Sequence, residues 1–582
     1  MSSALTETGP QPLPRRRQVQ LLKALALEAG WRHLALLNGL STLNSLLDIA
    51  GLGLAVTLLL GSGSSTDAAP LIGGLPIAAS LGLLVGLILL RGLIQAQVDI
   101  NRERLRSGFT DRLRQQLLHE VFEASSAQLD RLGRGELLAL LMADINRTAL
   151  SLDQAVRMGQ SLLAMTIYLA SVLLVGQATA WPLLLALLAT TAAALLQRSG
   201  SWGLGRIQSR LNAALQRTVG DGLHGLKALR AATAEAWLLQ RFARETAEGR
   251  WLLRERVRRR ASFNAWRDTL VVAVAGLWML LQGETLTAEV LTTTLVLAYR
   301  ASASLSTVVQ ARRLCLGNLP GYEALRQRRG QLIPRKGEAS DLTITDDTLS
   351  RLSRQRWHQL QWSRRDDGTQ SLDSLCLRAN GLVAITGPSG SGKTTLLDRI
   401  CGLLREEDSH WQLSCDGGAW SLSGLAGARQ MHQLIAYAPQ NAVLFEASLR
   451  ENLLLGAGAE CPQQDIEAWL QRLGLAHLLE RPGGLDAALA LAQDPFSGGE
   501  IHRLGLLRAW LRDKPMEVLD EPTAFLDATA AAQVRTVVQE RAQQRLMLIS
   551  SHDPELLALA DQVIVVEPNP ASPAAAVPAQ TS

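Results

Sequence analysis

Three long segments of the sequence contain neither lysine nor arginine: His33 to Leu90, Met158 to Gln197 and Asp268 to Tyr299. A membrane-spanning helix needs about 20 predominantly apolar residues. The first segment has room for two such helices and the second just fits two. In the third, the helices must continue into the flanking basic segments. Because each segment also has a polar or glycine-rich break near its middle, the pattern predicts three hairpins and therefore six membrane-spanning helices.

The positions of the positive charges predict the orientation of these helices. The expected hairpin tips lack lysine and arginine, whereas Arg102–Arg114 and Arg241–Arg260 are rich in arginine. Basic connecting segments face the cytoplasm in most membrane proteins. We therefore expect the tips to face outward and the connecting segments, together with the N-terminus, to lie in the cytoplasm, in a plasma or bacterial inner membrane.

Composition excludes several other classes of protein. The chain has 582 residues, of which 47% are hydrophobic and 19% charged, so a disordered or fibrous chain is excluded. Buried helices of a large soluble protein are disfavoured, because core helices seldom reach this length in charge-free pairs. The formal net charge of +5 follows largely from the basic cytoplasmic segments and gives no indication of a nucleic-acid partner.

The sequence predicts a chain with two folded parts, a membrane α-helical domain and an α/β domain. The six spans are expected at about residues 31–60, 72–97, 156–176, 179–197, 263–282 and 286–308 of a membrane domain at 31–325. Long polar segments with helical spacing predict that these helices extend far into the cytoplasm. Residues 1–30 are expected to form a cytoplasmic segment with an amphipathic helix, 326–356 a linker, 357–567 the α/β domain and 568–582 a disordered tail.

A phosphate-binding loop is predicted near the start of the α/β domain. The segment fits the pattern G-x-x-x-x-G-K-[ST], follows an apolar strand and leads into a helix, as this motif requires. Its residues are Gly387, Pro388, Ser389, Gly390, Ser391, Gly392, Lys393, Thr394 and Thr395. Backbone N–H groups and the helix N-terminus favour phosphate. Lys393 can reach the β- and γ-phosphates of ATP, and the Thr394 hydroxyl can bind Mg²⁺.

Two further apolar strands end in candidate catalytic residues. The first ends in Asp520, expected in the Mg²⁺ shell, and in Glu521, expected to polarise the attacking water. Glu517 is a charge within this strand and suggests a strand end at solvent. His552 follows the second strand, where it would lie beside a γ-phosphate if the strands are parallel neighbours.

Together these segments resemble the ATP-binding cassette (ABC) family, and Phe496-Ser497-Gly498-Gly499-Glu500 is the most specific part of the resemblance. It is similar to the family signature, usually Leu-Ser-Gly-Gly-Gln, which opens a helix and so provides another anion-binding terminus. The resemblance implies that Ser497, Gly498, Gly499 and Glu500 contact the γ-phosphate bound by a second cassette. We expect glutamate to be tolerated at position 500, because the phosphate contacts come from Ser497 and the backbone.

The resemblance extends to other positions of the cassette. Ala438-Pro439-Gln440 resembles the loop whose glutamine contacts Mg²⁺, and Asp527 stands where the family has an aspartate at the cassette interface. The family stacks the adenine ring on an aromatic side chain before the phosphate-binding loop. Trp362 is the nearest aromatic residue, and an alignment shifted by two residues places Arg364 there instead.

The resemblance covers about residues 20 to 567 and implies an exporter-type half-transporter with ATP and Mg²⁺ as cofactors. Function then requires a second half, in a homodimer or a heterodimer, and alternating access in the bilayer driven by ATP binding and hydrolysis. The substrate is unknown. Asp48 within the first span, with Gln160 and Tyr168 in the third, are candidates for the substrate path. Two alternatives remain open: an importer on the same scaffold, for example for metal chelates, and an ATP-gated regulatory or channel protein.

Overall fold

The computed structural model describes residues 15–61, 77–176, 180–196, 211, 214–220, 222–223, 225–282, 287–332, 343–365, 371–378, 381–406, 408–457, 461–489 and 496–567. The chain forms two compact units. One is helical and comprises Met1–Glu123 and Gln128–Ile333. The other comprises Ala124–Ala127 and Pro334–Ser582 and contains the strands described below.

The first part of the chain is entirely helical in its described elements. The helices are α1 (Arg15–Ala29), α2 (Trp31–Gly61), α3 (Ile77–Glu123), α4 (Ser126–Leu132), α5 (Arg134–Ala139), α6 (Ile145–Gly176), α7 (Trp181–Leu196), α8 (Leu226–Ala231), α9 (Glu235–Gln282) and α10 (Ala288–Leu332). A π-helical segment, Leu140–Asp144, joins α5 directly to α6.

Three of these helices are much longer than a bilayer is thick. Helices α3, α9 and α10 have 47, 48 and 45 residues. At about 1.5 Å per residue each spans roughly 70 Å, more than twice a hydrocarbon core of about 30 Å. Within the described residues, Trp31–Leu59, Ala78–Glu123 and Gly135–Gly176 are long and apolar enough to cross a membrane. The chain is therefore a multi-pass membrane protein with helices that continue beyond the bilayer.

The observed helix bounds differ from the bounds predicted from the sequence at places where a helix contains polar residues. Helix α6 begins at Ile145 rather than near 156, and α10 continues to Leu332, into the segment predicted as a linker from 326. The basic residues there do not end the helix, because they pair with acidic residues of neighbouring segments. Arg329 Nε, for example, donates to Glu120 Oε2 of α3 at 2.9 Å. The expected tail at 568–582 and the hairpin tip after α2 lie outside the described residues.

Polar contacts hold α6 against α10 where both helices are buried. Ser151 Oγ donates to the backbone carbonyl of Cys315 at 3.1 Å, and Arg147 Nη2 donates to that of Gly317 at 3.2 Å. Both side chains are buried. A buried donor without a partner costs free energy, so these contacts fix the register between the two helices.

The second part of the chain contains two sheets and the helices that cover them. The strands are β1 (Trp357–Arg365), β2 (Ser371–Arg378), β3 (Leu382–Thr386), β4 (Ser409–Cys415), β5 (Gly418–Ser423), β6 (Ile435–Ala438), β7 (Met516–Asp520), β8 (Leu546–Ser550) and β9 (Gln562–Val565). The helices are α11 (Asp346–Leu352), α12 (Lys393–Ile400), α13 (Gly424–Leu434), α14 (Leu449–Leu453), α15 (Gln463–Arg472), α16 (Gly498–Leu511), α17 (Ala528–Ala542) and α18 (Pro554–Ala558).

The two sheets differ in strand direction. An antiparallel sheet has the order β2-β1-β4-β5, and a parallel sheet has the order β6-β7-β8-β3-β9. Every residue of β7 and β8 is buried, as expected for central strands of a parallel sheet covered on both faces.

Glu517 corrects one expectation from the sequence. The charge suggested a strand end at solvent, but Glu517 is fully buried within β7. Its carboxylate accepts a hydrogen bond of 2.9 Å from Arg541 Nε of α17, and Arg545 lies 3.7 Å away. The guanidinium of Arg541 also lies over the ring of Trp469, 5.8 Å from its centroid. A buried carboxylate is compatible with the strand because this pairing replaces its hydration.

Candidate functional site

The parallel sheet brings three loops of the cassette to one edge. Strands β3, β7 and β8 are parallel and adjacent, with β8 in the middle. The carboxyl ends of parallel strands meet at the same edge, where open α/β sheets bind their ligands. Lys393 follows β3, Asp520 and Glu521 stand at the end of β7, and His552 follows β8. Four residues predicted from separate segments therefore converge.

The loop after β3 has backbone geometry that its glycines make possible. A Cβ atom at Gly387 would lie 2.3 Å from the carbonyl oxygen of Val566, so any other residue would displace the neighbouring chain. Gly392 precedes α12 with a φ of +96°, in the left-handed region that favours glycine. The N-terminus of α12 then follows directly, and its free N–H groups and dipole favour a phosphate.

The side chain of Lys393 folds back over this loop. Its Nζ donates to the carbonyl oxygens of Gly387 at 2.9 Å and Pro388 at 3.3 Å. It also lies 2.8 Å from Nε2 of His552. The ammonium group therefore stands at the centre of the loop, in contact with the residue that follows β8.

Asp520 is the centre of a hydrogen-bonded group of oxygen atoms. Its Oδ2 accepts from Thr394 Oγ1 at 2.9 Å, and its Oδ1 accepts from the hydroxyl of Ser550 at the end of β8. Within the described part of the chain, the nearby hydroxyl of Ser391 is buried without a hydrogen-bond partner. The loop thus retains an unused polar atom, as expected of a site that takes a polar ligand.

Glu521 has a strained backbone and is held from two sides. Its φ is +51°, which is rare for a residue with a side chain and is found preferentially at functional sites. Its N–H donates to the carbonyl oxygen of Ser550 at 3.0 Å. One carboxylate oxygen accepts from the N–H of His552 at 3.3 Å, and the other lies 3.6 Å from His552 Nε2. Ser550, which sequence patterns did not single out, connects Asp520 and Glu521.

Gln440 lies two residues beyond the end of β6, at the same edge of the sheet. Its backbone is connected to the segment after Glu521 through His502 of α16. His502 is another residue that the sequence patterns did not single out. The ring nitrogens of His502 lie 3.2 Å from the carbonyl oxygen of Gln440 and 3.1 Å from that of Pro522. His502 is buried, so it fixes the Gln440 loop relative to the residues after Glu521.

The signature segment caps helix α16. Ser497 is the N-cap residue, its hydroxyl accepts from the N–H of Glu500 at 3.2 Å, and Glu500 Oε2 accepts from the N–H of Ser497 at 2.8 Å. This capping box satisfies two N–H groups of the helix terminus. Gly498 and Gly499 form its first turn, and a Cβ at Gly499 would lie 3.1 Å from the carbonyl oxygen of Phe525.

Glu500 also contacts His477, whose Nε2 lies 2.7 Å from Glu500 Oε1. Burial raises the pKa of Glu500, but the hydrogen bonds from Ser497 and His477 outweigh burial and bring the pKa below its ordinary value. Glu500 is therefore ionised at neutral pH. It places a negative charge beside a helix N-terminus that otherwise favours anions.

Two residues singled out by the resemblance, Asp527 for the cassette interface and Trp362 for adenine stacking, have different surroundings. Asp527 is the N-cap of α17 and accepts from the N–H of Ala530 at 2.8 Å. Trp362, expected to stack on adenine, is 1% exposed and lies in the hydrophobic core beside the antiparallel sheet. A buried ring offers no face to a base, so this structure corrects that expectation. Arg364 is one-fifth exposed and lies 3.6 Å from Asp408.

In the helical part of the chain, two of the three substrate-path candidates meet. The Tyr168 hydroxyl of α6 donates to Asp48 Oδ2 of α2 at 2.6 Å. Gln160 instead donates to the carbonyl oxygen of Leu37 at 3.5 Å. Asp48 also forms ion pairs with Arg91 of α3 and Arg300 of α10. Arg91 and Arg300 directly follow two of the segments without positive charge. Because those segments were used to predict the spans, neither arginine was predicted as part of the substrate path.

Comparison with known proteins finds a family match within the α/β domain. A family model described as "ABC transporter" matches residues 372–524. The chain is 33% identical to the glutathione/L-cysteine transport system ATP-binding/permease protein CydC of Escherichia coli K12, over 43% of this chain and 45% of that protein. It is 29% identical to the protein CydD of the same description from Bacillus subtilis, over 56% of each.

A third curated relative is the ATP-dependent lipid A-core flippase of Ralstonia nicotianae, 30% identical over 36% of each chain. The chain thus matches about half or less of the length of these relatives. Among solved structures, a bacterial Atm1-family ABC exporter with ATP bound superposes with a TM-score of 0.70 over 94% of this chain and 93% of that one, at 18% identity. The expected fold class is confirmed: a helical membrane domain with the exporter fold, followed by an α/β domain that matches the ABC transporter family model.

Proposed function

We propose that this chain, an exporter-type ABC half-transporter in its architecture, is an ATP-hydrolysing translocase that drives export across a membrane by alternating access. The observation that carries the proposal is the convergence of Lys393, Asp520, Glu521 and His552 at the edge formed by β3, β7 and β8. The proteins CydC and CydD and the lipid A-core flippase are described as transport proteins, and their similarity supports the same class of activity.

In this proposal each residue at the sheet edge has a distinct role. The loop 387–395 and the N-terminus of α12 bind the phosphates, and Lys393 stabilises the charge on the transferred phosphoryl group. Glu521 orients and polarises the attacking water, while His552 stabilises the γ-phosphate side of the site. Ser550 positions Asp520 and Glu521 through the hydrogen bonds described above.

The donor set also fits Mg²⁺. The oxygens of Thr394 and Asp520 lie 2.9 Å apart, and Gln440 stands at the same edge. Mg²⁺ is commonly held by one or two protein oxygens together with nucleotide phosphates. When bound, Mg²⁺ would neutralise charge on the β- and γ-phosphate oxygens.

The functional unit in this proposal is a dimer of half-transporters, identical or different. The N-terminus of α16 favours an anion, although the Glu500 carboxylate opposes it, and by resemblance to the family Ser497 to Glu500 meet the nucleotide bound by the second cassette. Asp527 would lie at the same cassette interface. The protein lies in the plasma or bacterial inner membrane in this proposal. Because the arginine-rich connecting segments face the cytoplasm, the cassette and the N-terminal segment lie on that side too.

A transport assay tests the proposal against the two alternatives. The purified protein is reconstituted in liposomes, ATP is supplied to outward-facing cassettes, and labelled glutathione and L-cysteine are followed. An exporter accumulates solute inside these vesicles above the external concentration. An importer instead releases preloaded solute, and an ATP-gated channel only equilibrates it. Release or equilibration without accumulation would contradict export.

A further inference from the structure

A buried acidic residue lies inside a candidate membrane span. Asp48 belongs to the span Trp31–Leu59 of α2, and its side chain is 3% exposed. Ionised groups within a membrane are costly unless they are paired, and they mark functional positions more often than not. Three helices supply its partners: Arg91 Nη1 of α3 at 2.8 Å, Arg300 Nη2 of α10 at 3.7 Å and the hydroxyl of Tyr168 of α6 at 2.6 Å.

The three charged residues lie at a common depth in the helical unit. Asp48 is about 13 residues from the end of α2, and Arg91 and Arg300 are about 14 and 12 residues from the starts of α3 and α10. At about 1.5 Å per residue these positions are all roughly 18–21 Å from the helix ends at the hairpin tips. Transporters commonly place their substrate sites near the middle of the bilayer, where helices from different parts of the fold meet.

The charges of this cluster do not balance. Two guanidinium groups face one carboxylate, and each arginine side chain is 37% exposed. The next acidic residue along α3, Asp99, is paired with Arg102 at 3.2 Å and accepts from Gln95. Holding Asp48 in place needs only the short contact from Arg91. Arg300 forms the longer of the two pairs, at 3.7 Å, so the cluster of two arginines and one aspartate keeps one excess, partly accessible positive charge.

Polar side chains extend this cluster by one helical turn. Asn44 precedes Asp48 by four residues and Gln95 follows Arg91 by four, and Asn44 Nδ2 donates to Gln95 Oε1 at 3.0 Å. Within the described part of the chain, Asn44 Oδ1 is buried without a hydrogen-bond partner. The surface between α2 and α3 thus offers both cationic and hydrogen-bonding groups at membrane depth.

We propose that Arg91 and Arg300 bind an oxyanion, a carboxylate or a phosphate group, of the transported substrate. Guanidinium groups match both oxyanions with two parallel hydrogen bonds, which an ammonium group does not. Asp48 and Tyr168 act as positioning residues that hold the two arginines at one point. This inference rests on the proposed transport function and names the substrate class of the same membrane path.

Binding to the full-length protein in nanodiscs of neutral phosphatidylcholine, without ATP, tests this site. Thermal unfolding is followed against increasing glutathione or inorganic phosphate, and in a separate arm against phosphatidylglycerol in the nanodisc. The first two probes represent soluble oxyanions, and the third represents a lipid headgroup. Glutathione diethyl ester, which lacks free carboxylates, is the matched ligand control. At least one oxyanion is expected to raise the unfolding temperature of the wild type.

Substitutions then locate the binding. Arg91→Gln and Arg300→Gln are expected to raise the half-saturating concentration of that oxyanion at least about tenfold, the effect of losing a hydrogen bond between charged groups. Arg300→Lys keeps the charge beside Asp48 but loses the planar fork, so it is expected to fold and to bind several-fold more weakly. Arg106→Gln, on α3 and 41% exposed, is the control and is expected to bind as the wild type does.

The outcomes separate a binding site from an ion cluster that only joins helices. In the latter case, the glutamine variants would unfold at lower temperature but respond to the oxyanions as the wild type does. That result, or no stabilisation by any of the three probes, would overturn the proposal. Because no ATP is present, loss of ATP hydrolysis or of transport would contradict the proposed function without affecting this measurement.

Discussion

Lys393 Nζ lies 2.8 Å from His552 Nε2, so the loop after β3 directly contacts the residue that follows β8. An ammonium group only donates hydrogen bonds. His552 therefore accepts on Nε2 and carries its hydrogen on Nδ1. The backbone N–H of His552 donates to Glu521 Oε2 at 3.3 Å, so the three residues form one group at the sheet edge.

Replacing His552 by alanine is expected to lower the kcat of ATP hydrolysis about 100-fold, the effect of removing a positioned polar group from a transition state. The KM for ATP is expected to change little, because the phosphate-binding loop is unaltered. Steady-state hydrolysis by the purified protein measures both. His358→Ala serves as the control, since this histidine is equally exposed but pairs with Asp416 on the cassette surface. Equal kcat values for the two variants would contradict the role of His552.

Replacing Glu500 by glutamine is expected to lower the half-saturating ATP concentration for hydrolysis about two- to fivefold, the effect of one charge at a helix N-terminus. The glutamine keeps an oxygen that can accept from the N–H of Ser497, so the capping box is preserved while the charge that repels phosphate is lost. Half-saturation is measured at low and high salt, and the difference from wild type should shrink as salt screens the charge. An unchanged or higher half-saturating concentration would show that Glu500 does not oppose phosphate binding.

The ionisation of Glu500 also predicts a dependence of stability on pH. Its pKa is lower in the folded chain than the ordinary value of 4.5. Such a carboxylate stabilises the folded state above about pH 4.5 and loses that contribution as the pH falls through the folded pKa. The difference in unfolding temperature between wild type and Glu500→Gln should therefore stay constant from pH 7 to about 5 and narrow as the pH falls below about 4.5. A difference that stays constant down to about pH 3 would exclude the linkage.

Glu517→Ala is expected to lower the free energy of unfolding of the cassette by about 3–5 kcal/mol, because Arg541 loses its buried partner. For a domain of this size, the unfolding temperature should fall by about 10 °C. Differential scanning calorimetry of the full chain measures the transition. Glu480→Ala removes an exposed glutamate and is the control, with no expected change. If the unfolding temperature of Glu517→Ala falls no more than that of Glu480→Ala, the Glu517–Arg541 pair does not stabilise the cassette.

The sequence predicted the parts of the fold that depend on local patterns. Charge-free segments located the helical hairpins, and the phosphate-binding motif with the strand ending in Asp520 and Glu521 located the site. Both patterns are contiguous along the chain, so neighbouring residues are enough to recognise them. The position of His552 required one further assumption, that β3, β7 and β8 are parallel neighbours, and the sheet order confirms it.

Features that depend on tertiary contacts could not be predicted in this way. Ser550 bonds to Asp520, His477 to Glu500 and His502 to the Gln440 carbonyl. Each of these partners is 23 or more residues away in the sequence, and none of the three residues belongs to a motif. The resemblance to the family, together with distance from the phosphate-binding loop, predicts that Trp362 stacks on adenine. Its side chain points to the core instead, because alternate residues of a strand face opposite sides of the sheet. Arg91 and Arg300 are visible as partners of Asp48 only once α2, α3 and α10 are packed.

The most direct test of the account compares ATP binding and ATP hydrolysis in Glu521→Gln. The substitution keeps the shape of the side chain but removes the carboxylate proposed to polarise water, whereas the phosphate-binding loop remains intact. We expect hydrolysis to fall at least about 100-fold while the Kd for ATP stays within about threefold of the wild type, with Glu480→Gln unchanged in both. Hydrolysis by Glu521→Gln at the wild-type rate would contradict the account.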